Sequence, residues 1–407
     1  MKSSSPRPLV AIIGCGPAGL MAAERLSAVA DVTLYDRMPS AGRKFLMAGR
    51  GGLNLTHGEA FEPFLARYGA AAAWLRPAIA AFPPEALRAW CEGLGQKTFV
   101  GSSKRVFPES LKASPLLRAW LRRLDAAGVT FALRHEWRGW DKDGALLFDA
   151  GGEARAVKAD AVVLALGGAS WPKLGSDGGW VDLLRGQGIE VATLRPANCG
   201  FVAPWSTMFG ERFAGQPLKP LKAVFAGVEV QEEAMITRTS LEGGLIYALS
   251  SALREAVDKN GEAVVTFDLK PGLTVAELGQ RLRAPRGSQS LSTFLRKAAG
   301  LTPASIVLMR ESAAGAALPE APDALAAWIK AVRIRLTATA PIDRAISSAG
   351  GIMQGEIDAD FMLRKKPGMF VAGEMLDWEA PTGGYLLQAS FSTAVMAAEG
   401  VRKYLDI

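Results

Sequence analysis

The chain has 407 residues, 49% of them hydrophobic and 21% charged, with 44 glycines. That is enough to bury a full core over two or three domains, and it excludes disordered and fibrous classes. The net charge of +7 and a pI near 9.3 raise a polyanionic partner. The basic residues are scattered, however, without the long run or aromatic–basic alternation that nucleic-acid binding would call for.

Residues 1–8 read as a short disordered leader. The apolar run Leu9-Val10-Ala11-Ile12-Ile13 then reads as a buried strand, and "GCGPAGLMAA" follows it at 14–23. In that spacing Gly14 permits the tight strand-to-helix turn, and Gly16 lets the backbone approach a pyrophosphate. Gly19 lets the helix, entered through Pro17 and Ala18, pack closely on the strand. The free N–H groups and the positive dipole end of the new helix would hold phosphates. A second strand, Val32–Tyr35, ends in Asp36, where a carboxylate can accept both hydroxyls of an adenosine ribose. The site therefore favours a ribose without a 2′-phosphate, as in FAD or NAD.

Residues 40–57, "SAGRKFLMAGRGGLNLTH", carry neither helical nor strand period and are expected to form a long functional loop. Its Arg43, Lys44 and Arg50 sit among backbone-exposing glycines, which suits an anion. Helical periodicity dominates 59–95, a turn segment covers 96–110, and a helix is expected over 112–127. A strand at 129–133 leads into a hairpin through 137–158. "DAVVLALGG", 160–168, reads as a continuous buried strand ending in a second close-approach point. Strand signals fill 195–270, helical signals 275–335. The chain closes on a strand at 369–372, Gly373-Glu374, a loop, and Gly383-Gly384 opening a helix. The strand–glycine–helix arrangement of the beginning thus returns at the end, as a ligand held between the two would require.

Two histidines, His57 and His135, are too few for a histidine-rich metal site, and no metal is expected. Cys15, Cys91 and Cys199 are odd in number and widely spaced, neither a redox pair nor a metal cluster, so a reducing cytoplasm is the expected home. No apolar run approaches membrane-spanning length.

These residues together resemble the FAD domain of the two-dinucleotide-binding-domain flavoproteins. More narrowly, "GRKFLMAGRGGLNLTH", "GSSKRVFPES", "ALGGASWPKLGSDGGW", "SSAGGI" and "MFVAGEMLDWEAPTGGYLLQAS" resemble a family of predicted NAD(P)/FAD-dependent oxidoreductases. Its members include aminoacetone-oxidase-like proteins and a bile-acid-pathway reductase. Many members carry GGGRCN where this chain has Gly49-Arg50-Gly51-Gly52-Leu53-Asn54, so the Arg-Cys pair falls on Gly52 and Leu53. Many also carry a THWGLSGP-like stretch, where this chain reads Thr239-Ser240-Leu241-Glu242-Gly243-Gly244.

The resemblance implies an α/β fold: a Rossmann-like FAD-binding domain with a β-meander, interrupted by an inserted domain with a β-rich and a helical part. The expected segments are 1–194 and 343–407 for FAD, with 195–272 (β-rich) and 273–342 (helical) inserted and covering the isoalloxazine. It implies FAD, with Gly14, Gly16, Pro17, Ala18 and Gly19 at the pyrophosphate, Asp36 at the ribose and Arg37 among the cofactor-binding residues; the FAD is expected to be non-covalent, since no His or Cys linkage motif appears. Arg43, Lys44, Gly49, Arg50, Gly51, Gly52 and Asn54 would lie along the pyrophosphate and isoalloxazine, with the Trp137 backbone at the adenine. Gly167, Gly168, Gly373 and Glu374 would line the cofactor, while Gly383, Gly384 and Tyr385 aim a helix N-terminus at the flavin N1–C2=O edge. His57 and Asp377 are the candidate acid/base groups; each could equally be a cap or turn residue. The function so implied is hydride transfer at flavin N5 with a small-molecule substrate, NADH or NADPH binding only transiently because no second complete nucleotide motif exists. Its alternatives are a flavin-carrying nucleic-acid-modifying or nucleic-acid-binding protein, or a flavin-binding regulator without turnover.

Overall fold

The computed structural model describes residues 6–49 and 51–407; Arg50 and the first five residues of the leader lie outside the described residues. The chain divides into two compact units, one formed by 1–195 with 346–407 and the other by 196–345.

The first unit is built on a parallel sheet. Strand β1 (Leu9–Ile13) is followed by helix α1 (Pro17–Leu26), strand β2 (Asp31–Asp36) and a short helix α2 (Arg43–Ala48). A two-residue strand β3 (Thr56–His57), helix α3 (Ala113–Ala126), strand β4 (Thr130–Leu133), strand β5 (Ala161–Leu164), strand β6 (Met369–Val371) and helix α4 (Tyr385–Leu405) complete the frame. The sheet order is β6-β5-β1-β2-β4, parallel throughout. Buried on both faces, its strands are continuous apolar runs rather than alternating ones; four of the five residues of β1 and all four of β5 are buried. The crossovers make β1 and β5 neighbours, so the glycine turn after β1 and the Gly167-Gly168 turn after β5 sit side by side. That is the arrangement in which doubly wound sheets bind ligands beyond their carboxyl ends.

Helix α1 buries Leu20, Met21 and Leu26 completely, each contributing about 1.5–3 kcal/mol, and packs on α4. Small residues in both helices allow that: Ala18, Gly19, Ala22 and Ala23 on α1, and Ala389, Ala394, Ala397 and Ala398 on α4, are all buried.

Three local expectations of this unit are corrected. The 40–57 stretch is not all loop: it holds α2 and β3, and Phe45 of α2 is buried against Trp120 of α3. The 96–110 stretch is a β-hairpin, Thr98–Val100 with Arg105–Pro108, whose Phe99 and Phe107 rings stack at 5.8 Å. The 137–158 region forms the expected meander, with three strands, Glu136–Trp140, Leu146–Asp149 and Ala154–Val157. Strand β5 stops at Leu164, four residues short of Gly168.

The second unit has its own core, including Phe201, Phe209, Phe267 and Leu295. A four-stranded antiparallel sheet runs Val228–Gln231, Lys222–Phe225, Ala263–Asp268, Val332–Leu336. Four helices between 275 and 330 connect its last two strands. The stretch read as helical to 335 therefore ends in the strand Val332–Leu336, which alternates buried and exposed as an edge strand over a core does.

Candidate functional site

At the end of β1 the three glycines do different work. Gly14 has φ +108°, and a Cβ there would lie 2.2 Å from the Ala165 carbonyl oxygen after β5. A Cβ on Gly19 would lie 1.8 Å from the Gly14 carbonyl oxygen. Both are glycines because the backbones touch. Gly16 differs: its conformation is ordinary (φ −81°, ψ −177°), and a Cβ would meet nothing within 4 Å. Internal packing does not explain a glycine there, whereas a ligand approaching the N-terminus of α1 does.

Asp36 closes β2 beside this turn. One carboxylate oxygen accepts from the Cys15 N–H at 2.7 Å and the other from the Met38 N–H at 2.8 Å. Burial pushes its carboxyl above the usual range, against those two bonds and the Arg37 and Arg43 charges. Each oxygen keeps a lone pair for a further donor. Burial likewise raises the Cys15 thiol, with the Asp36 charge adding to it, so it packs as an apolar group.

Arg37 turns away to Asp177, 2.6 Å from its Oδ2. Lys44, from α2, reaches across the sheet end: Nζ donates to Ser170 Oγ at 2.7 Å and to Glu374 Oε2 at 2.6 Å. The other Glu374 oxygen accepts from the Ser348 N–H at 2.9 Å, and Ser348 Oγ accepts from the Ala169 N–H at 2.9 Å. Gly168 is pressed on this network, since a Cβ would lie 2.4 Å from Ser348 Oγ. Gly167 and Gly373 both have positive φ, and a Cβ on Gly373 would meet that of Ala18 at 2.8 Å. The structure thus brings Gly14–Gly19, Asp36, Lys44, Gly167, Gly168, Gly373 and Glu374 to one end of the sheet. Ser170 and Ser348 join them; both lay in quoted motifs, "ALGGASWPKLGSDGGW" and "SSAGGI", but nothing in the sequence tied Ser170 to Lys44 or Ser348 to Glu374.

The 49–54 loop is fixed at one side, where a Cβ on Gly49 would meet Ala113, and open at Gly51. Asn54 Oδ1, Arg43 Nε and, near Gly167, Ser176 Oγ are buried without a hydrogen-bond partner among the described residues. Buried polar atoms are almost always paired, so the three are acceptors and donors awaiting a partner. With the open Gly16 they fit a polar, phosphate-bearing cofactor. Trp137 is buried in the meander, edge-on to Trp140, and its Nε1 is likewise buried without a hydrogen-bond partner among the described residues.

Gly383 and Gly384, at φ +134° and +94°, open α4, and a Cβ on Gly384 would lie 2.5 Å from Thr56 Cα. The helix therefore begins in contact with β3. Tyr385 points its ring inward, stacked on His57 with centroids 5.3 Å apart. His57 Nε2 donates to the Ser103 carbonyl at 3.0 Å, which puts the neutral ring's proton on Nε2. Burial lowers the His57 pKa, helped by Arg67 and Arg105 and opposed by Glu59 and the Ser103 bond. Asp377 is half-buried; burial raises its pKa, with Glu379 adding and Arg195 opposing. Among the described residues no cluster of three or more metal-type ligands forms, and no helix is long and apolar enough to cross a membrane.

A Rossmann-type sheet with this glycine cradle and a second glycine-opened helix is a dinucleotide-binding arrangement, here that of an FAD-dependent oxidoreductase. The chain belongs to the HI0933-like protein Rossmann domain family, whose model matches residues 8–400. It is similar to a 3-dehydro-bile acid delta(4,6)-reductase of Clostridium scindens, with 26% identity over 95% of this chain and 97% of that protein. Among solved structures it resembles the 3-ketosteroid delta1-dehydrogenase from Sterolibacterium denitrificans in complex with 1,4-androstadiene-3,17-dione, at 12% identity and a TM-score of 0.54, covering 98% of this chain and 100% of that one. It also resembles the 3-ketosteroid-delta4-(5alpha)-dehydrogenase from Rhodococcus jostii RHA1 in complex with 4-androstene-3,17-dione, at 14% identity and a TM-score of 0.47, covering 99% and 98% of the two chains.

Proposed function

We propose that this protein is a reductase that draws electrons from NADH or NADPH, bound transiently, and delivers them through FAD to a small unsaturated ketone. The open Gly16 at the N-terminus of α1 is the observation that carries the cofactor part of this reading. When bound, FAD supplies hydride transfer at its N5; the protein binds, orients and excludes water. Gly14, Gly16, Pro17, Ala18 and Gly19 would cradle the pyrophosphate, and Asp36 would accept the adenosine ribose hydroxyls. Asn54, Gly51, Gly52, Arg43 and Ser176 would meet the remaining polar edge. Lys44 would act by holding Glu374, leaving that carboxylate in place for a hydroxyl donor. The N-terminus of α4 would face the flavin edge that becomes negative on reduction.

Substrate class rests on the Clostridium scindens relative, whose name specifies a 3-dehydro bile acid and a delta(4,6) reduction. Residues 1–194 and 343–407 are read as the FAD domain and 195–342 as an insertion with a β-rich and a helical part that supplies specificity. The three cysteines, all buried and none in a disulfide among the described residues, support a cytoplasmic setting. The reading is tested by adding NADH or NADPH anaerobically to the FAD-loaded protein, then an unsaturated 3-oxo bile acid. Rapid bleaching followed by reoxidation supports it. A flavin that neither nucleotide reduces removes the reductase reading.

A further inference from the structure

The start of the 21-residue helix α4 is tied by side-chain hydrogen bonds to residues far from it in sequence. Tyr385 Oη donates to Glu59 Oε1 at 2.5 Å, and Glu59 also accepts from Arg67 Nε at 3.3 Å and Nη2 at 3.0 Å. Burial works to raise the Glu59 pKa, but the bonds from Arg67 and Tyr385 outweigh it and hold the carboxyl below its ordinary range. Tyr68 Oη, fully buried, donates to the Tyr385 carbonyl oxygen at 2.8 Å. Three residues later in the helix, Thr56 Oγ1 donates to Gln388 Oε1 at 2.7 Å, and Gln388 Nε2 donates to the Phe82 carbonyl at 2.6 Å.

A carboxylate with 8% of its side chain exposed is costly to desolvate, and replacing such a group by apolar packing is often neutral or stabilising. Stability alone therefore does not account for Glu59. What the network does account for is geometry: both the side chain and the carbonyl of Tyr385 are fixed, directly behind the Gly383-Gly384 turn. The helix N–H groups that follow are left with one direction to point.

We infer that Glu59, Arg67, Tyr68 and Tyr385 are positioning residues that aim the N-terminus of α4 and so set how strongly the protein prefers reduced over oxidised flavin. The inference rests on the reading that the flavin's N1–C2=O edge meets this helix end. A helix terminus acts within about one turn, so a loosened first turn weakens its interaction with the anionic reduced ring while barely changing that with the neutral oxidised one.

The test uses Tyr385→Phe and Tyr68→Phe, which remove one clamp bond each without changing charge, and Arg76→Ala as a control in the solvent-exposed Arg76–Glu62 pair. The midpoint potential of the FAD-loaded proteins is measured spectrophotometrically against a reference dye. Each Tyr→Phe change is expected to reduce the preference for reduced flavin about three- to tenfold, a drop of roughly 15–30 mV for a two-electron couple, and the control to leave it unchanged. Both Tyr variants holding FAD at the wild-type potential would overturn the clamp. A wild-type protein that takes up no FAD would instead remove the reading beneath it. Should Tyr68→Phe fail to fold, Tyr385→Phe, whose hydroxyl is nearer the surface, decides the matter alone.

Discussion

Replacing each glycine of the first turn by alanine should separate those that serve the fold from the one that serves the ligand. At Gly14 an alanine combines a positive φ of 108° with a Cβ 2.2 Å from a backbone oxygen, so β1 and β5 must part. Strain at such a conformation costs about 1–3 kcal/mol, and overpacking about 1–3 kcal/mol more. A combined loss near 3 kcal/mol lowers the melting temperature of a domain this size by roughly 6–12 °C. Gly19→Ala, with its Cβ 1.8 Å from the Gly14 oxygen, should behave alike. Gly16→Ala should not: φ −81° suits alanine, and fewer unfolded states make the change worth about +0.4–1 kcal/mol to stability. Its methyl group nevertheless stands where the pyrophosphate would pass, so FAD affinity should fall at least tenfold, about 1.4 kcal/mol. Thermal unfolding of the apoproteins by circular dichroism and FAD titration by fluorescence quenching give the two readouts. A Gly16→Ala protein that binds FAD as wild type does would refute the assignment of this turn to the cofactor.

Three further outcomes follow from the same geometry. Lys44→Met should destabilise the protein by about 1–3 kcal/mol by stranding the half-buried Glu374, and adding Glu374→Gln should recover much of that loss; denaturant titration of the double-mutant cycle measures it. Asp36→Asn should weaken FAD binding about tenfold by removing one ribose acceptor, read from the same titration as above. Because the folded His57 pKa lies below its unfolded value, the folded state binds fewer protons. Stability should therefore fall as pH drops from about 6.5 toward the folded pKa, and not above pH 7. His57→Gln should flatten that slope in urea midpoints taken between pH 5 and 7.

What could be read in advance, and what could not, divides along physical lines. The β1 turn was legible because close backbone approach leaves glycine as the one residue that fits at 14 and 19, and because the flanking strands are too apolar to be anything but buried. The glycine-ended apolar runs of β5 and β6 pointed to a ligand shared with β1, but the order of the strands carried no sequence signal. Helix α2 was missed since six residues are fewer than two turns, too short for a 3.6-residue period to show between Gly42 and Gly49. The 98–108 hairpin was missed because its turn, Gly101-Ser102-Ser103-Lys104, spreads turn residues over most of its length, and Lys104 adopts a positive φ that its type does not advertise. The Lys44–Glu374 pair joins residues 330 apart in sequence, and Glu59–Tyr385 joins residues 326 apart. Neither carries a local signal; each exists because the first and last segments of the chain share one sheet.

The central claim is that this sheet end holds FAD, and the visible spectrum of the protein after incubation with FAD and removal of the excess tests it most directly. The account predicts a yellow protein with one FAD released per chain on denaturation, and a Gly16→Ala protein that loses most of that colour while keeping its fold. A colourless wild-type protein, folded and with no FAD retained, would contradict it.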